Sequence, residues 1–274
     1  MNEVRLRDGG RLSIALQGSG PPLLLIRPLG GSLVSWGPFA AALATETRVI
    51  AFDARGSGCS SAAPLLTTTR RMAADALAVL DALAIERAPV FGLSLGGMVA
   101  SWLAVDAPTR VDRLVLASTP THGIEVHPGG WQRGLALARC LLQFPRAAEA
   151  CLATHVLSNA FRAAHPDEVA RIQARARERP ASHCGLLALL GAAALHDFSA
   201  RAGDIHADTL VLAGECDALL AVGEQRQFAA RLPRARFALV PGAGHDVSAE
   251  APAVVVALVL AHLRAATRAA PEKR

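Results

Sequence analysis

The chain has no tyrosine, and aromatic residues make up only 4% of its 274 positions. A surface for single-stranded nucleic acid needs basic groups interleaved with rings on which bases stack. The net charge of +5 is therefore not a nucleic-acid signal. Long apolar runs are also missing. A helix that crosses a bilayer needs about 20 consecutive apolar residues, and no such run occurs although 52% of the chain is hydrophobic. The N-terminus, Met1 to Asp8, lacks the apolar segment of a secretory signal. Cysteine is scarce: Cys59, Cys140, Cys151, Cys184 and Cys216 are an odd set with no C-x-x-C spacing. That argues against a disulfide framework or a zinc site, and for reduced thiols in a cytoplasmic protein. Cys59 and Cys216 read as space-filling. The basic residues are nearly all arginine and are dispersed, except for Arg171, Arg175, Arg177 and Arg179. Those four follow a helical pattern and read as a solvated face. The expected partner is a small molecule, with no nucleic acid and no membrane; a homo-oligomer is compatible with the sequence.

What is present is a rhythm of apolar segments. Val4–Arg7 and Leu12–Leu16 alternate around Asp8-Gly9-Gly10, as a hairpin does. Leu23–Ile26 and Arg48–Asp53 are apolar without alternation, which marks strands buried on both faces of a parallel sheet. Helices are expected near Val34–Ala44, Thr67–Leu83 and Leu95–Val105, with strands at Pro89–Leu93 and Val111–Ala117. From Thr119 to about Ala202 the pattern is helical only, with segments at Trp131–Phe144, Arg146–Leu157, Pro166–Glu178 and His183–Leu195. The alternation then resumes: strand Thr209–Gly214, helix Gly223–Leu232, strand Arg236–Val240 and helix Ser248–Ala266. The fold class is α/β, a mostly parallel twisted sheet with helices on both faces. Its core comprises residues 1–118 and 203–266, residues 119–202 form an all-helical cap over the strand ends, and residues 267–274 are a flexible tail.

The chemistry gathers at Gly92-Leu93-Ser94-Leu95-Gly96. A Gly-x-Ser-x-Gly turn between strand and helix holds its serine in a strained conformation with the hydroxyl exposed. A serine hydroxyl attacks a carbonyl carbon only when a base takes its proton, normally a histidine oriented by a carboxylate. Both should follow Ser94 in the chain, each in a loop just past a strand. Asp217 lies directly after Leu210–Ala213, with Glu215 as a rival acid two residues earlier. His245 is the only histidine in a glycine loop after a predicted sheet strand. The Leu95 N–H opens a helix and faces whatever sits over Ser94. The second oxyanion donor should come from the Arg27–Gly31 loop, and because Pro28 has no N–H it is assigned to Leu29.

Together, Phe91–Met98, Phe52–Gly58, Gly214–Asp217 and Pro241–His245 resemble the α/β-hydrolase superfamily over nearly the whole chain. Gly92–Met98 with Trp102, and Ala107–Leu116, are most similar to 3-oxoadipate enol-lactonases, with small carboxylesterases close behind. The resemblance implies an α/β-hydrolase fold and a catalytic triad of Ser94, Asp217 and His245. It implies an ester or lactone hydrolase without cofactor or metal. Acyl transfer by the same triad is an alternative, as is a non-hydrolytic binding protein on the same fold. Two departures border the pocket. Arg27-Pro28 stands where most relatives have His-Gly, and Ala218–Gly223, just after Asp217, holds no proline where many relatives carry one. Arg27 is a candidate for binding a substrate carboxylate, or else points to solvent or pairs with an acid such as Asp53. Trp131 is a candidate pocket wall, or packs within the cap.

Overall fold

A computed structural model of the chain describes residues 2–123, 139–140, 143 and 145–265. Eight strands form one sheet in the order β1-β2-β4-β3-β5-β6-β7-β8. They are β1 Asn2–Arg5, β2 Arg11–Gln17, β3 Pro22–Ile26, β4 Arg48–Phe52, β5 Ala88–Leu93, β6 Val111–Ala117, β7 Asp208–Gly214 and β8 Ala235–Val240. β1 and β2 are antiparallel, and β4, β3, β5, β6, β7 and β8 run parallel. Successive side chains on a strand point to opposite faces, so the unbroken apolar strands feed two cores. Leu24, Ile26 and Val90 pack on one side, with α2 (Thr69–Ala82), α3 (Leu95–Asp106) and α8 (Val222–Arg231). Leu23, Leu25, Phe91 and Leu93 pack on the other, with α1 (Gly37–Leu43) and α10 (Pro252–Arg264). This is the architecture expected from the sequence.

Local chemistry shifts several boundaries. The helix expected at Val34–Ala44 is a 3-10 turn at Leu33–Trp36 and then α1, broken at Gly37 with φ +43° before Pro38. α2 begins after Thr68, whose side chain accepts the Arg71 N–H. The final helix divides into α9 (Val247–Glu250) and α10 because Pro252 occupies the first turn of the latter.

Between β6 and β7 the described helices are α4 (Pro145–His155), α5 (Asn159–Ala164), α6 (Pro166–Glu178) and α7 (His183–Ala194), with a 3-10 turn at Ser199–Asp204. α5 was absent from the sequence reading; the Ser158 side chain caps it by accepting the Phe161 N–H. Trp131, most of the helix expected around it, and the 267–274 tail lie outside the described residues. No helix among the described residues is long and apolar enough to cross a membrane.

The cysteine expectation fails here. Cys140 and Cys151 are joined in a disulfide, because the fold brings their Cα atoms to 5.5 Å, within bridging reach. Spacing in sequence carries no sign of that pairing. Cys59 and Cys216, like Cys184, are free and exposed rather than space-filling. The arginine run also divides. Arg171 and Arg177 are exposed, but Arg175 turns inward, pairs with Glu168 at 3.0 Å and packs over Gly37.

Candidate active site

Ser94 sits at the end of β5 with φ +54° and ψ −118°, a conformation that costs a non-glycine residue energy and persists only where the surroundings enforce it. Its N–H is fixed on the Ala117 carbonyl at 2.9 Å, and its own carbonyl accepts the Gly97 and Met98 N–H groups. The flanking glycines are required by close approach. A Cβ on Gly96 would lie 2.0 Å from the Ile26 oxygen, and one on Gly97 1.9 Å from Thr119 Oγ1. α3 is thereby pressed against β3 and β6, and its first N–H, that of Leu95, has no preceding turn to bond.

His245 stands in the loop after β8. Its Nδ1–H donates to Asp217 Oδ2 at 2.9 Å, and its Nε2 accepts the Ser94 hydroxyl at 2.8 Å. The proton is assigned to Nδ1 because that nitrogen faces a carboxylate. The loop is seated closely: a Cβ on Gly214 would fall 1.9 Å from the Gly244 oxygen. Burial favours the neutral imidazole. The Asp217 charge and hydrogen bond, with a further push from Asp246, more than offset that and hold the pKa above the ordinary 6.5.

The Asp217 side chain is fully buried. Its Oδ1 accepts the N–H groups of Leu219 and Leu220 at 2.8 and 2.9 Å, and Gln225 Nε2 lies 3.4 Å from Oδ2. The missing prolines after the acid now have a physical meaning, since a proline at either position would remove one of these donors. Glu215, the rival acid, instead accepts the Gly242 N–H at 2.9 Å and holds the turn. Gln225 was not singled out from sequence; nothing local tells a helical glutamine that it will turn toward a carboxylate.

A cavity of about 460 Å³ opens beside His245, walled by the Arg27–Gly31 loop, Trp36 and Phe39 on one side and by α4 to α6 on the other. Leu29 lines it. Arg27 also lines it and lays its guanidinium over the Trp36 ring, 4.7 Å from the centroid. Asp53 is buried nearby and accepts the Leu33 and Cys59 N–H groups at 2.6 and 3.0 Å. Burial raises its pKa, against those two bonds and the charges of Arg179 and Arg27. Among the described residues one group has donor atoms close enough for a metal ion, Cys140, Cys151 and His155. The two sulfurs are bonded to each other, which occupies the donors such an ion would need.

Comparison with known proteins agrees with the architecture. A family model described as the alpha/beta hydrolase fold matches residues 21–252. A RutD protein of Variovorax paradoxus, named for carbamate hydrolysis, is 34% identical over 246 residues, covering 86% of this chain and 88% of its own. The 3-oxoadipate enol-lactonase 1 of Acinetobacter baylyi is 35% identical over 115 residues, or 41% of this chain and 43% of its own. The crystal structure of a hydrolase from Pseudomonas aeruginosa superposes with a TM-score of 0.84 at 32% identity, covering 96% of this chain and 98% of that one.

Proposed function

The chain belongs to the α/β-hydrolase fold family, and from that premise we propose that it is a serine hydrolase of a carboxylic ester or lactone. The observation that carries the reading is the line from Ser94 Oγ through His245 to Asp217, with bonds of 2.8 and 2.9 Å. His245 Nε2 takes the hydroxyl proton as Ser94 Oγ attacks the carbonyl carbon, while Asp217 keeps Nδ1 protonated and stabilises the imidazolium. The Leu29 and Leu95 N–H groups are assigned to the developing oxyanion. The imidazolium then gives its proton to the leaving alcohol oxygen, which in a lactone stays tethered to the acyl group. His245 next deprotonates water, the acyl-enzyme is hydrolysed, and Ser94 recovers its proton. The 119–202 segment is assigned the role of a cap, because α4 to α6 supply one wall of the cavity.

A carbamate is the second reading. It presents the same kind of carbonyl carbon to Ser94, and the similarity to RutD spans 86% of the chain, against 41% for the enol-lactonase.

A stopped-flow trace with p-nitrophenyl acetate tests the reading; one p-nitrophenolate per site released in a burst is expected. No burst and no turnover on a panel of esters, lactones and carbamates overturns it. Arg27 is assigned to a substrate carboxylate on account of its place in the cavity wall. In the same assay Arg27→Ala should cost about tenfold or more in kcat/KM on anionic esters and little on neutral ones. Equal losses on both remove that assignment.

The pH profile follows from the raised His245 pKa. Only the neutral imidazole accepts the Ser94 proton, so activity is present above that pKa and lost as pH falls through it. The acid limb of kcat/KM is expected above the 6.5 of a free imidazole. A limb at or below that value would mean that Asp217 does not bias the ring.

A further inference from the structure

The carboxylate of Glu250 takes no part in the line from Ser94 to Asp217, yet it joins two segments far apart in the chain. It ends α9, and both its oxygens face Ser158. Oε1 accepts the Ser158 N–H at 2.8 Å and Oε2 accepts the Ser158 hydroxyl at 2.6 Å. Gly244, the residue immediately before His245, packs directly against the same carboxylate and the Ser158 nitrogen. On the other side of His245, the Asp246 N–H donates to the Val156 carbonyl at 3.1 Å. One neighbour of His245 is therefore packed against, and the other hydrogen-bonded to, residues 156–158. The contact leaves no slack: a Cβ on Gly244 would lie 2.5 Å from Glu250 Oε1 and 2.6 Å from the Ser158 nitrogen. Ser158 is buried, and its hydroxyl also accepts the Phe161 N–H at 3.1 Å. Val156 and Phe161 line the cavity.

We infer that Glu250 is a positioning residue that locks the His245 loop to the cavity wall at Val156–Phe161. The imidazole and the surface against which the acyl group rests are then one rigid unit. This rests on the serine-hydrolase reading. The physical cause is the cost of leaving buried donors unmade. Without the carboxylate, the Ser158 N–H and hydroxyl lose their acceptor, and the glycine loop that carries His245 loses the group it packs against and has the freedom to shift.

The test compares Glu250→Ala, Glu250→Gln, Ser158→Ala and the Glu250→Ala/Ser158→Ala double variant, each checked for a wild-type circular dichroism spectrum. Ester hydrolysis gives kcat and KM, and proton NMR follows the Nδ1 proton between His245 and Asp217. Glu250→Ala is expected to lower kcat on the order of 10- to 100-fold, the scale of a displacement of about 1 Å, and to move the Nδ1 resonance. Glu250→Gln should restore most of both. Its amide oxygen accepts the Ser158 N–H and its amide nitrogen donates to the Ser158 oxygen. Adding Ser158→Ala to Glu250→Ala should cost little more, because the bond between them is already gone. An unchanged kcat and resonance in folded Glu250→Ala overturns the inference. So does a Glu250→Gln as slow as the alanine variant, or additive losses in the double variant. Should Glu250→Ala not fold, Ser158→Ala decides: a wild-type kcat and resonance there overturns it. Absence of hydrolysis in the wild-type protein defeats the hydrolase reading instead, and the resonance still reports whether Glu250 positions the ring.

Discussion

Replacing Ser94 by alanine is expected to lower kcat by about 10⁶-fold while leaving the fold intact, the loss seen when the nucleophile of such a unit is removed. Alanine keeps the Cβ, so the residue bears the same backbone strain at φ +54° that the turn already imposes. The Ser94 N–H to Ala117 carbonyl bond needs no side chain, so the thermal midpoint should stay close to that of the parent. What disappears is the one hydroxyl that donates to His245 Nε2. Residual catalysis would come from oxyanion donors and substrate binding alone. The comparison requires kcat on an ester that the parent turns over, with the melting curve beside it. Undiminished turnover in the folded variant would end the mechanism.

Asp217→Asn is expected to lower kcat by about 10⁴-fold, and the reason is a tautomer. In the parent, Oδ1 accepts two backbone N–H groups while Oδ2 accepts from the ring. An asparagine at this place has one acceptor oxygen. The Leu219 and Leu220 N–H groups claim it, so the amide NH2 turns to His245. The ring must then accept at Nδ1 and carry its proton on Nε2, which faces Ser94, and the serine loses its base. The backbone bonds survive, so stability should change far less than rate. Glu215→Gln is the matched control: its carboxylate holds the Gly242 turn rather than the ring, and kcat should stay near that of the parent. Exchanged outcomes for the two variants would make Glu215 the orienting acid.

The core of the fold and the serine turn were legible because their causes are local. Unbroken apolar strands between glycine and proline punctuation read directly as a parallel sheet, and Gly92-Leu93-Ser94-Leu95-Gly96 specifies its own reversal. Chain order pointed to Asp217 and His245 but left Glu215 a rival, since two acids two residues apart occupy the same loop in sequence. Boundaries were less legible. Pro252 divides the last helix, although the apolar periodicity runs through it.

By itself the sequence determined the sheet, the strained turn at Ser94 and the loops that carry its two partners, because each depends on backbone preferences of adjacent residues. Only the tertiary structure decided which side chains meet. The Ser94–His245 bond spans 151 positions and the Glu250–Ser158 bonds span 92. Cys140 closes on Cys151, and Arg175 leaves its solvated pattern for Glu168 and Gly37. Such pairings depend on how whole elements pack against each other, a property that no window of neighbouring residues contains.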